Sequence, residues 1–299
     1  MSGPRGRFRR FIGISLGGGR GKQTAVARLS WEPGAPSPNL AIHHAATRIG
    51  HRGTGDHGEH RPVADTGYLR DAELEAYLDA HVTDATLVAV DAPLVVPPCL
   101  RCDVPCPGVA ACPVDEVRFA TRIGHVRSGK PAVLPYVERA CEVVRQREAL
   151  PVRAGWGQGT APLAARMHYL RRRFAGRLVA GVNLVEVAPR AAVVRWFGEE
   201  TERRTRAGAL ADVRRARADV LESLRGRLRF DHVWPELVVR QRAVFYAVIA
   251  SVVACDLARC GWSFEDTVAE PLAAEVARSP EVFVRGGWIW VPPPGGADP

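Results

Sequence analysis

Four cysteines, Cys99, Cys102, Cys106 and Cys112, fall within fourteen residues in the pattern Cys-x2-Cys-x3-Cys-x5-Cys. Thiols crowded this closely in an intracellular chain bind metal more often than they pair as disulfides. Soft thiolates select zinc or an iron–sulfur cluster, so Zn or [4Fe-4S] is the expected occupant. The spacing matches neither two separated zinc knuckles nor a standard cluster loop. A loop of thiols without metal is the competing reading, and Cys141 is a further candidate ligand. Cys255 and Cys260 read as helix-packing residues, since unpaired cysteine behaves as a small apolar group.

Shortly upstream, the run LVAVDAP (Leu87 to Pro93) ends in one carboxylate, Asp91, stopped by Ala-Pro. An apolar run ending this way is a buried strand that places a charge at the mouth of a sheet. A second such run, VNLVEV (Val182 to Val187), carries Glu186 and is stopped by Pro189. Two carboxylates at neighbouring strand ends could hold Mg or Mn loosely, because magnesium keeps several waters.

Two glycine-rich segments are candidate anion sites. Gly17 to Lys22 offers Gly18, Arg20 and Lys22 to a phosphate, as a nest of backbone N–H groups. It is not a Walker loop: Leu16 fills the first glycine position and Gln23 replaces Ser/Thr. A plain turn is the competing explanation. Gly155 to Gly159 leads into a helix opened by Thr160 and Pro162, with Arg166 one turn in, at a helix N-terminus suited to anions. A tight loop beneath the sheet would explain the same residues. His51, His57 and His60, with Asp56 and Glu59, sit in a glycine-rich stretch where ordering five ligands is entropically costly, and they read as solvated.

The elements that must position these groups follow from the apolar patterning. Phe11 to Leu16 and Thr24 to Trp31 form a hairpin around the glycine turn, and Asn39 to Ile49 supplies a third strand. Asp71 to Val82 has helical spacing, followed by the Asp91 strand. Pro97 to Pro113 has no periodicity. Tyr136 to Glu148 and Thr160 to Phe174 read as helices, then the Glu186 strand, then two helices at Ala209 to Arg227 and Arg240 to Arg259. Gly287 to Pro294 is an aromatic, strand-like stretch. The succession is α/β with a mixed sheet, the order expected of an RNase H-like sheet flanked by helices. A single elaborated domain spans 1–299, with a basic extension at 1–10, a Cys/Pro-rich insertion at 97–135 after the Asp91 strand, and a tail at 295–299.

Of 299 residues, 41 are basic and 32 acidic, giving a formal charge of +9. Such a balance fits a polyanion partner. Lys22 and Lys130 are the only lysines, however, and an arginine skew of this kind also follows from a GC-rich genome. Ten arginines between Arg195 and Arg229 face six acids, a candidate patch for backbone phosphates or an ordinary charged helix face. No long apolar segment follows the basic N-terminus, and Ala243 to Cys255 is shorter than the roughly 20 residues a membrane span needs. A cytoplasmic location with no membrane partner is expected, and composition leaves the oligomeric state open.

The segments IGISLGGG, VDAPL, GQGTAPLAAR, LVEVAPRA, VFYAVIAS and GGWIWVP occur in the order found in domain-of-unknown-function family 429, which this chain resembles over nearly its whole length. That family is described as predicted nucleases with an RNase H-like fold. The resemblance implies a metal-dependent phosphodiesterase site built from several carboxylates, because two divalent cations about 3.5–4 Å apart need a bridging acid. It places Asp91 at the central-strand acid, Glu186 at an additional acid and Ser15 at the first-strand acid. Ser15 cannot bridge two cations. In the late helix Tyr246 stands where the family has Asp, and Ala243 where a second Asp is common. Asp256 lies almost three turns further on. The resemblance therefore implies a divergent member that binds nucleic acid, with metal-dependent hydrolysis weak or lost. A zinc- or iron–sulfur-stapled interaction module is the alternative, and an actin-like phosphotransferase using the Gly17 to Lys22 hairpin is a third.

Overall fold

The computed structural model describes residues 7–18, 24–32, 34–43, 71–124, 132–157, 159–225, 228–229 and 235–295. Arg20, Lys22, the histidine-rich stretch from His51 to His60 and the far half of the third expected strand lie outside them.

The sheet begins with β1 (Arg10–Ser15), β2 (Ala25–Ser30) and β3 (Asn39–His43), which pair antiparallel in turn. After α1 (Asp71–His81) comes β4 (Thr86–Val90), laid parallel to β1. The chain then runs through α2 (Asp115–Ile123), α3 (Ala140–Arg147) and α4 (Ala161–Arg173) to β5 (Leu184–Val187), parallel to β4. Six helices follow: α5 (Pro189–Phe197), α6 (Glu199–Arg204), α7 (Leu210–Ser223), α8 (Pro235–Arg240), α9 (Arg242–Cys260) and α10 (Leu272–Ala277). Last come α11 (Pro280–Gly286) and β6 (Ile289–Trp290), the latter parallel to β5. The strand order is β3-β2-β1-β4-β5-β6, a mixed α/β sheet flanked by helices.

The sheet separates two cores because successive side chains leave a strand on opposite faces. Ile12, Ile14, Val88, Val90 and Leu184 pack with Leu74 and Leu78 of α1 and Met167 and Leu170 of α4. Phe11, Leu87, Ala89, Val185 and Val187 pack with α9, whose Val244 to Ala258 are buried throughout. The 19-residue α9 is long and apolar enough for a membrane span, but 89% of its most apolar 18-residue stretch lies inside the fold. Such a helix, apolar all round, is what a central core position requires. It sits unusually close to the sheet: a Cβ on Gly13 would fall 2.0 Å from the Ala247 carbonyl oxygen. That approach accounts for the glycine in the middle of β1.

Several expected elements shift in detail. The Pro97 to Pro113 stretch holds only two short 3-10 turns, Pro98–Leu100 and Val109–Ala111, and α2 after it is a helix the apolar pattern did not reveal. Thr160 precedes α4, but its hydroxyl donates to the Ala154 and Gly157 carbonyls at 2.5 and 2.9 Å and caps no helical N–H. Cys255 is buried as expected of a packing residue, whereas Cys260 is exposed at the end of α9.

Candidate functional site

Ser15 and Asp91 stand at the C-terminal ends of two adjacent parallel strands. Ile14 is in register with Val90, and the Asp91 N–H donates to the Ile14 carbonyl at 3.0 Å. Glu186 is in register with Val90, one position before Asp91. Pleat alternation puts Glu186 on the same side of the sheet as Val90, while Asp91 lies one residue past the end of β4. The two acids share one rim of the sheet, and the charge of Glu186 is felt at Asp91.

Glu186 is already occupied. Its Oε2 accepts from Arg139 Nη1 at 2.8 Å and from the Leu94 N–H at 2.9 Å, and its Oε1 accepts from Arg139 Nη2 at 2.6 Å. Arg139 also donates from Nε to Glu142 Oε1 at 2.8 Å, while Glu142 Oε2 accepts the Arg139 backbone N–H at 2.9 Å and closes the capping box that starts α3. Arg139 and Glu142 are fully buried and Glu186 nearly so. Burial works against the charge on Arg139, and the surrounding Cys141, Glu142 and Glu186 overcome it, holding the guanidinium well above its ordinary pKa. The Glu142 carboxyl is pushed up by burial and held back by Arg139. A bidentate guanidinium–carboxylate pair of this kind fixes geometry tightly.

Two glycines, one from the Gly155 to Gly159 segment and one from the aromatic stretch before β6, lie beside this network. A Cβ on Gly155 would lie 2.5 Å from Glu142 Oε1, and one on Gly287, at φ +83°, would lie 3.4 Å from Arg139 Nη1. Gly155 is explained by its close approach to buried charge, in keeping with the tight-loop reading of Gly155 to Gly159, and Gly287 by its left-handed backbone. Neither Arg139 nor Glu142 stood out in the sequence. The available signal was Arg-x-x-Glu directly ahead of the apolar helix start at Ala140, the order of a capping box with arginine in the cap position.

Asp91 has a different environment. Burial pushes its carboxyl up to about 6, Arg153 and Arg190 pull it down, and Glu186 adds to the rise. No hydrogen-bond donor meets that carboxylate among the described residues. Arg190, at the start of α5, donates from Nε to Glu202 Oε1 at 2.6 Å and feels both Tyr246 and Asp91. The Tyr246 hydroxyl is buried without a hydrogen-bond partner among the described residues, and burial raises its pKa. Around the β1 and β4 ends, then, stand a carboxyl raised to about 6, the buried Ser15 hydroxyl, and Arg153 and Arg190, with Tyr246 on the far side of Arg190. This set can receive an anion and exchange a proton with it. It does not fit a pair of divalent cations, since Asp91 is the one acid of the set not already salt-bridged. No three His, Cys, Asp or Glu side chains among the described residues form a metal-holding group.

Arg166, expected to greet a phosphate, instead straps the hairpin to α4. It bonds the Asp71 carboxylate at 2.7 Å, the Gly17 carbonyl at 2.6 Å and Thr24 Oγ1 at 2.8 Å. Gly18 lies against Leu163, where a Cβ would come within 2.9 Å of the leucine Cγ. Much of the arginine-rich patch is likewise spent internally: Arg206 joins Arg190 on Glu202, Arg195 reaches Glu148, Arg203 pairs with Glu200, and Arg217 donates to the Thr205 and Val239 carbonyls.

The four clustered cysteines line one cavity of about 90 Å³, shared with Pro98, Val104, Pro105 and Val117 among others. Burial raises the Cys99 thiol, and Cys112, Cys106 and Cys102 add to the rise. Cys141 does not join them: it is buried on α3 beside Arg139. Compared with known proteins, the chain matches no family model, no curated protein and no solved structure.

Proposed function

We propose that this chain is a divergent RNase H-like protein of the predicted-nuclease family it resembles, one that binds nucleic acid and has weak or no metal-dependent hydrolysis. The strand order supports the fold reading: an antiparallel β3-β2-β1 hairpin unit continued by parallel β4 and β5, with an acid at the end of β4. The observation that carries the functional reading is the contrast between the two acids. Asp91 keeps an unbonded carboxylate at the sheet's mouth, while Arg139 holds both oxygens of Glu186. With Ser15 and Tyr246 at the other acid positions, the end of β4 keeps Arg153 near enough to favour a phosphate but lacks the ligands a bridged ion pair needs.

The test is binding and cleavage of single-stranded, duplex and branched DNA and RNA by the purified chain. Fluorescence anisotropy is expected to show binding that weakens with salt, and incubation with Mg²⁺ or Mn²⁺ to show cleavage at or near background. Absence of binding to every substrate would remove the nucleic-acid reading. Rapid cleavage that survives Asp91→Ala would remove Asp91 from the chemistry and the reading with it.

A further inference from the structure

We propose that Cys99, Cys102, Cys106 and Cys112 form a tetrathiolate metal centre that staples the segment between β4 and α2. The inference is independent of the nuclease reading.

The first argument is placement. Four thiols from one short segment line a single cavity, and none is tied up in a disulfide. A volume of about 90 Å³ exceeds what one ion requires. The thiols do not yet stand as a ligating group. Metal binding would draw them together, and the exposed side chains of this segment can change rotamer without disturbing a core.

The second argument is what the segment lacks. Every residue from Cys99 to Ala111 is exposed, including Leu100 at 48%, Val104 at 54% and Val109 at 42%. From Cys102 to Ala110, no backbone N–H finds an acceptor among the described residues. Apolar burial and ladder hydrogen bonds are the ordinary means of offsetting chain entropy, and this stretch uses almost none of either. Its prolines at 105, 107 and 113 reduce the entropy to be lost but supply no attraction. A cross-link through a soft metal supplies it, and small segments with little core rely on metal in this way.

The third argument is anchorage. The start of the segment is tied to the fold on two sides: Cys99 N–H donates to the Pro135 carbonyl at 3.2 Å, and Arg101 pairs with the buried Glu116 of α2, the helix that follows the segment. Glu116 in turn packs under Gly286, where a Cβ would come within 2.8 Å of its carboxyl carbon. A stapled segment is thus a rigid bridge from the end of β4 to the helices behind Arg139.

Zinc and an iron–sulfur cluster share this ligand chemistry and are separated by experiment. The full chain is purified anaerobically, and its metal content, visible absorption and intact mass are measured. Roughly one zinc and no colour, or about four irons with a broad visible band, supports the centre and names its occupant. Metal-stripped wild-type protein is then titrated with Co²⁺, whose thiolate charge-transfer bands report tetrahedral sulfur ligation. Cys102→Ser/Cys106→Ser is expected to lose at least nine-tenths of the bound metal, and Cys260→Ser to keep it. If the double variant does not fold, the Co²⁺ titration of wild-type protein decides. Metal-free protein that gives no Co²⁺ bands, an intact mass showing two disulfides, or full metal retention in the folded double variant would each overturn the proposal.

Discussion

Arg139 and Glu186 meet through two near-parallel hydrogen bonds of 2.8 and 2.6 Å, on a guanidinium withdrawn completely from solvent. The pair joins the start of α3 to the middle of β5, and Glu142 completes it from the next turn. Removing one member of a buried pair leaves the others charged and unsolvated. Arg139→Met, similar in reach but uncharged, is therefore expected to cost about 3–5 kcal/mol. Urea denaturation followed by tryptophan fluorescence measures it, and a loss below 1 kcal/mol would mean that the network is not the anchor described.

Asp91 gives a pH signature of defined sign. Its carboxyl sits at about 6 in the folded chain against an ordinary 3.8, chiefly through burial. The folded state therefore binds the proton more tightly, and stability falls as pH rises through the window from about 4 to 6. Asp91→Asn removes that penalty. At pH 7 it is expected to gain up to roughly 3 kcal/mol over wild type, and at pH 3.5 almost nothing. Paired denaturation curves at the two pH values check this, and an equal effect at both would refute the elevated pKa.

Gly13→Ala places a methyl group 2.0 Å from the Ala247 oxygen and 2.4 Å from the Ser251 nitrogen, both backbone atoms that cannot rotate away. The helix must lift off the sheet. A loss of about 3 kcal/mol or more is expected, seen as a lowered melting temperature or insoluble expression. Wild-type melting behaviour in this variant would show that α9 is not seated as described.

Tyr246→Phe removes a buried hydroxyl that has no hydrogen-bond partner among the described residues. An unsatisfied polar group is a cost rather than a contact, so the change is expected to be neutral or stabilising by about 1 kcal/mol. Differential scanning calorimetry reads this as an unchanged or slightly raised Tm. A clear drop would reveal a partner for that hydroxyl.

What the sequence made legible were features with a local cause. The β4 and β5 strands could be read because apolar runs stop at Pro93 and Pro189, and α9 because no polar face interrupts it. Ser15 beside Asp91 was accessible through the hairpin and the following parallel strand. Register was not: nothing in VNLVEV states that Glu186 opposes Val90 rather than its neighbour, and that single position decides which face the carboxylate takes. Arg139 was illegible for a similar reason, since its partner Glu186 lies 47 residues away and only folding introduces them. The short helices α5 and α6 were hidden because Gly198, at φ +85°, ends the first after nine residues and the second, EETERR, has no apolar pattern to read.

The seating of α9 over β1 also bears on how the protein is made. The strands leave the ribosome well before α9, the helix packed against their underside. Until Val244 to Ala258 have been made, Phe11, Leu29 and Leu87 lack that cover, and sticky surface of this sort recruits chaperones or clumps. Assembly dominated by such distant partners is slow in general. Nascent chains stalled ahead of Val244 should consequently remain protease-sensitive in β1 and β2.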